Sequence, residues 1–218
     1  MQIAIGLFPG FTALDAIGPY QVFTQLPDAE VVLCASEKGE LADDTGLLSL
    51  NISHTFDEVD SPEIIVVPGG FITRKLARDG HPVVEWVARV HPHTTYTTSV
   101  CTGALLLGAA GLLDGLDATT HWFAYDELAK YGATPTEQRV VGRGKIWTAA
   151  GVSAGIDLAL TLVAETHGAD MSRAIQLGIE YDPQPPHDSG APSKAPPEIV
   201  ALVRSISAGK EAAVLAGD

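Results

Sequence analysis

The sequence predicts an α/β fold, a mostly parallel sheet covered by helices on both faces, and three observations predict it. Short, solidly apolar runs such as I-A-I-G-L-F at 3–8 and I-I-V-V at 64–67 are too brief for helices and end at Pro-Gly signals. Each is followed by a stretch with helical spacing, and strands that are apolar on both faces belong in parallel sheets flanked by helices. At 96–102 (Y-T-T-S-V-C-T) a β-branched run passes into the Ala/Leu/Gly-rich G-A-L-L-L-G-A-A-G-L-L with no room for a loop.

Taken in order, residues 2–8 form the first strand, turned by Pro9-Gly10. Thr12 is placed to cap a helix over 13–26, with Leu14, Ile17, Val22 and Phe23 on its apolar face. Residues 30–35 form the second strand, with Cys34 between apolar neighbours as core filler. The polar, Gly-punctuated segment 36–56 alternates at Leu48, Leu50 and Ile52 and reads as a hairpin or excursion at the sheet edge. A buried strand at 63–67 ends in Pro68-Gly69-Gly70, and an amphipathic helix follows at 83–90. His91-Pro92-His93 stops that helix as a solvated turn. Beyond the 96–100 strand and its helix to 113 come a short strand at 118–121 and a helix at 122–131. A hairpin pairs 139–141 with 145–149 around Gly142-Arg143-Gly144. Helices follow at 151–168 and at 169–181, the latter with Asp170 as its cap. A Pro-rich surface connector spans 182–197, and a terminal helix spans 198–215. No internal repeat appears, and the expectation is one domain over 1–218. Its interior strands are 3–6, 31–33, 64–67 and 96–99.

Composition narrows the function. With 46% hydrophobic and 18% charged residues the chain can bury a large core. A formal charge of −14 argues against a nucleic-acid or anionic-membrane partner. The two cysteines, Cys34 and Cys101, are too few for a disulfide framework and form no metal-type pair. No stretch reads as a signal peptide or a membrane span, so a cytoplasmic location is expected.

The chemistry points to Cys101. A nucleophilic side chain where a strand turns at once into a helix is a nucleophile elbow. There the helix dipole and unpaired N–H groups favour thiolate, so the expectation is a thiol titrating below the ~8.5 of a free cysteine. Asp15, in the first turn of the first helix, reads on its own as a carboxylate complementing the dipole. In a parallel sheet the turns at 9–10, 69–70 and 101–102 all crowd the carboxyl edge, where ligands bind.

Several of these segments resemble the DJ-1/PfpI superfamily. They are I-G-L-F-P-G-F-T-A-L-D-A-I-G-P-Y, I-I-V-V-P-G-G, S-V-C-T-G-A-L-L-L-G-A-A-G-L-L, A-T-T-H-W, A-G-V-S-A-G-I-D-L-A-L and I-E-Y-D-P-Q-P-P, and they run in matching order through about residue 192. Within it the chain is most similar to the isocyanide-hydrating branch, on Asp15 where many relatives carry Glu and on Thr102 where protease-like members carry His. The resemblance implies a flavodoxin-like three-layer sandwich, a homodimer, a small-molecule substrate, and no metal or organic cofactor. It makes Cys101 the nucleophile and Asp15 its carboxylate partner. The N–H groups of Thr102 and Gly70, beside Gly69, would line an anion site, and Val152 would sit on the helix that packs near the thiol. It implies water addition to an isocyanide through a thioimidate. A glyoxalase or deglycase acting on α-oxoaldehydes and a cysteine redox sensor are the alternatives. A ligand-binding regulator ranks below both, and His121 and His187 stay open as distant imidazole partners.

Overall fold

The computed structural model describes residues 1–216. A seven-stranded sheet forms its centre, in the order β10-β11-β7-β6-β1-β2-β5. The strands are β1 (Gln2–Gly6), β2 (Glu30–Ala35), β5 (His54–Thr55), β6 (Ile64–Val67), β7 (Tyr96–Val100), β10 (Val140–Arg143) and β11 (Ile146–Ala149). All neighbours pair parallel except β10 with β11. β1 registers Ile3 on Ile64 and Val31, and β6 registers Val66 on Thr98. Ile3, Ile5, Ile64, Ile65, Val66 and Val67 are all fully buried, as strands apolar on both faces require. Each such side chain contributes about 1.5–3 kcal/mol of burial.

Two helical layers enclose the sheet. On one side α1 (Ala13–Phe23) packs against α6 (Ala154–His167), which in turn carries α7 (Ala169–Gly178). On the other, α2 (Thr73–Asp79) and α3 (Pro82–Val90) pack against α4 (Gly103–Ala109), with α5 (Tyr125–Ala129) beside it. Trp86 of α3 is buried on the sheet, its indole Nε1 donating to Val59 O at 2.8 Å. β3 (Gly39–Ala42) and β4 (Ser49–Ile52) form their own hairpin, and β8 (Asp117–Ala118) pairs with β9 (Thr134–Pro135). The long helix α8 (Pro197–Ala216) closes the described chain.

Several boundaries differ from the sequence expectation. α1 stops at Phe23, and Thr12 makes no cap hydrogen bond, because its hydroxyl donates to Asp44 Oδ2 at 2.9 Å. The expected strand at 118–121 shrinks to β8, since Thr119 N is drawn to Thr148 Oγ1 and Thr120 turns toward the elbow. α4 ends at Ala109 and α7 at Gly178, and α7 starts directly after Gly168 without an Asp170 cap. α6 starts at Ala154, three residues later than expected, because Val152 stands at φ 40 and cannot be helical. Helix α2 went unforeseen.

Candidate active site

β1 lies where the connections change direction, with β2 on one side and β6 and β7 on the other. The carboxyl ends of β1, β6 and β7 therefore bring Pro9-Gly10, Gly69-Gly70 and Cys101 to one edge, the place where open α/β sheets bind ligands. Cys101 sits directly after β7 at φ 57, a left-handed conformation uncommon for any residue but glycine. The strain is held from three sides. Cys101 N donates to Ala149 O and Ala150 O at 3.1 and 3.0 Å, Thr120 Oγ1 donates to Cys101 O at 2.8 Å, and α4 begins at Gly103.

Asp15 is completely buried beneath this turn. Its Oδ2 accepts from Gly69 N at 2.8 Å, while Oδ1 has no donor in ordinary hydrogen-bond geometry. The Cys101 side chain lies close enough for the two groups to influence each other's charge. Only glycine fits at 69, where a Cβ would stand 2.6 Å from Thr102 N and 2.8 Å from Asp15 Oδ2. Thr102 is buried, and its hydroxyl accepts from Gly70 N and donates to Gly70 O, both at 3.0 Å. The N–H groups of Gly69 and Gly70 are thus engaged inside the protein, so the anion site implied for Gly70 is not free here. The two glycines hold the acid and the elbow together instead. The N–H groups of Thr102 and Val152 face the Cys101 sulfur.

Electrostatics corrects one expectation. Desolvation raises Asp15 to about 7, with the Gly69 N–H and the Cys101 side chain opposing and the Asp44 charge reinforcing. Burial, and then the Asp15 charge, push the Cys101 thiol well above its ordinary range, against the N–H groups of Val152 and Thr102. Two donors at a helix start do not outweigh full burial beside a carboxylate, so the resting group is a thiol and not the thiolate expected from position alone. Cys34 is buried against Ile5 O and raised by desolvation, which leaves it inert. His121 is held below its usual range, to about 4, by burial and by Arg74, and its Nδ1 accepts from Phe123 N. It packs on Gly151, and neither it nor His187 hydrogen-bonds Cys101 among the described residues.

A cleft of about 610 Å³ opens beside Val152, lined by Leu14, Trp122, Tyr125 and Ala150 among others. Phe71 stacks on Phe123 at 6.0 Å next to it, and α8 lies across this aromatic group, with Arg204 over Trp122 and Lys210 over Phe71. Sequence reasoning missed Thr120. Thr120 lies in the A-T-T-H-W segment that carried the resemblance, but no spacing rule assigns its hydroxyl to a carbonyl 19 residues away.

A mostly parallel α/β sandwich with a buried cysteine in a strained elbow, set against a buried acid, is the arrangement of this chain, and the chain belongs to the DJ-1/PfpI family, whose model matches residues 1–165. It is 42% identical to the isonitrile hydratase of Pseudomonas putida over 208 residues, which cover 95% of this chain and 90% of that one. A ThiJ/PfpI family protein from Pseudomonas syringae superposes with a TM-score of 0.90 at 36% identity, covering 99% of this chain and 90% of that one. A deglycase of Thermococcus kodakarensis is 28% identical over 159 residues, 66% of this chain and 86% of that one. No helix among the described residues is long and apolar enough to cross a membrane.

Proposed function

We propose that the protein adds water to isocyanides to give N-substituted formamides, with Cys101 as nucleophile and Asp15 as proton carrier. The observation that carries this reading is the fully buried Asp15 carboxyl set against Cys101 in the strained elbow, with no imidazole hydrogen-bonded to Cys101 among the described residues. The terminal carbon of R–N≡C must gain both a nucleophile and a proton, and a thiol–carboxylate pair holding one proton supplies both. The Asp15 carboxylate takes the thiol proton as Sγ bonds to the terminal carbon, and passes that proton to the same carbon, giving R–N=CH–S. Water then adds across the C=N bond, its oxygen to carbon and one of its protons to nitrogen through Asp15. Collapse breaks the C–S bond, the carbinol proton returns to sulfur through Asp15, and R–NH–CHO leaves. No amine is expelled, so no imidazole is needed to protonate one. Thr102 and the N–H groups at Gly69 and Val152 hold the pair in place, and the cleft beside Val152 is where the R group would lie.

The likeness to the hydratase supports this reading over the deglycase, which the chain matches at lower identity and coverage. The residues form one functional unit over 1–218, acting in the cytoplasm as a homodimer. The exposed stripe Ile199, Leu202, Val203 and Ile206 on α8, spaced to one helix face, supports the dimer. The test is incubation of pure protein with a panel of alkyl and aryl isocyanides and, separately, with methylglyoxal, following formamide and lactate. Formamide formation above the buffer rate is expected. Lactate from methylglyoxal with no formamide from any isocyanide overturns the reading in favour of a glyoxalase or deglycase acting on α-oxoaldehydes.

A further inference from the structure

We propose that Arg139 is a positioning residue, whose main chain and guanidinium together lock the 150–153 turn so that the Val152 N–H stays aimed at the Cys101 sulfur. Val152 is β-branched yet stands at φ 40, a conformation that costs about 1–3 kcal/mol and persists only when its surroundings over-determine it. From the inner side Cys101 N holds Ala150 O at 3.0 Å. On the outer side Arg139 bonds at three points. Arg139 O accepts from Ala150 N at 2.9 Å. Its Nη2 donates to Ser153 Oγ at 3.2 Å, and its Nε donates to Asp157 Oδ2 at 2.7 Å. Tyr181 OH donates to that same oxygen at 3.2 Å, tying in the segment after α7.

Arg139 is thus bonded before, at the edge of and beyond Val152, on both sides of the strained residue. Half-exposed ion pairs contribute little stability, so the pairing alone does not explain the arrangement. The planar fork does, because a guanidinium can hold a hydroxyl and a carboxylate in fixed directions at once and an ammonium cannot. The Arg143–Asp117 pair is its natural control. It is as short, at 2.6 Å, and similarly exposed, but touches neither the turn nor the elbow. Asp15 is the titratable group facing the thiol, and His121, which packs on Gly151, together with Glu137, Arg139, Asp157 and Tyr181 are charged or titratable groups around the turn.

The proposal uses the hydratase reading only for its rate readout. The experiment compares the full chain with Arg139→Met, Arg139→Lys, Ser153→Ala and Arg143→Met. It measures the pH dependence of Cys101 alkylation by iodoacetamide, and kcat and KM for an isocyanide. For Arg139→Met the alkylation midpoint should rise by about 0.5–1 pH unit, so that about three- to tenfold less thiolate is present at a given pH, as expected when a hydrogen bond to a charged group is partly lost. kcat should fall by a similar factor with KM within twofold. Arg139→Lys should lie between Arg139→Met and the parent, and Arg143→Met should match the parent. If Arg139→Met does not fold, Ser153→Ala, which removes a single neutral bond from the fork, carries the same test with a smaller shift in the same direction. Wild-type midpoints in both Arg139→Met and Ser153→Ala, or an equal shift in Arg143→Met, overturn the proposal. A shifted midpoint in a protein that turns over no isocyanide upholds the positioning role while the hydratase reading fails.

Discussion

Replacing Asp15 by Asn should stabilise the protein at alkaline pH, and by an amount that the structure sets. The carboxyl is fully buried and raised from 3.8 to about 7. Between those two values the folded protein keeps a proton that the unfolded chain has released, so stability falls as pH rises through this window and is lowest above it. At pH 8 the full difference corresponds to roughly 4 kcal/mol of destabilisation by the ionised acid. Asn still accepts from Gly69 N but brings an amide NH2 that needs a partner, which lowers the net gain to about 2–3 kcal/mol. In a chain of this size that is a rise in Tm of about 5–10 °C. Toward pH 4 and below the acid is increasingly protonated in both states and the charge effect fades, leaving only the unpartnered amide, so there the variant should be the less stable by up to about 1–2 kcal/mol. Thermal or denaturant unfolding of both from pH 4 to 8.5 reads the difference directly, and carboxylates outside the site cancel in it. Parallel curves, or a variant that loses ground as pH rises, would show that Asp15 is neither desolvated nor raised.

The same Asp15→Asn change should lower isocyanide turnover by about 10²–10⁴-fold, since no base then remains to take the thiol proton; loss below tenfold in steady-state assays contradicts its role. kcat/KM of the parent should rise with pH through about 7, as Asp15 becomes able to accept that proton; a flat profile from pH 5.5 to 8.5 would assign the proton elsewhere. Gly69→Ala puts a methyl against Thr102 N and Asp15 Oδ2, and should cost activity about 10²-fold by displacing the acid, visible as a fall in kcat. Thr102→Val removes both bonds to Gly70 and should destabilise by about 1–3 kcal/mol in urea unfolding, because Gly70 N is left buried without this acceptor while Gly70 O keeps Thr73 N and Oγ1.

The parallel sheet was legible because the apolar runs at 3–8 and 64–67 have no polar face, which a doubly covered sheet accommodates, and because 96–100 is β-branched. The elbow was legible because 96–103 leaves no residues for a loop. Helix α2 was not, since R-K-L-A-R-D holds only Leu76 and Ala77 for the core and reads as a polar excursion. The start of α6 was missed for a tertiary reason: G-V-S-A-G suits a helix locally, but Cys101 N bonds Ala150 O and Arg139 bonds the other side of the turn. Asp15 shows the same limit at the site. On the page it is a first-turn carboxylate, and its burial under Gly69 comes from a residue 54 positions away. The thiol's raised affinity for its proton follows from that burial, which no local pattern announces.

Trapping the covalent intermediate tests the central claim most directly. The protein is mixed with excess isocyanide, acid-quenched within one turnover, and mapped by peptide mass spectrometry, with Cys101→Ala and Cys34→Ala in parallel. The expected result is an adduct of the isocyanide's full mass on Cys101 in the parent and in Cys34→Ala, with both proteins releasing formamide. Cys101→Ala should show neither adduct nor formamide above the buffer rate. Undiminished formamide from Cys101→Ala, or an adduct carried by Cys34 alone, would contradict nucleophilic catalysis at the elbow.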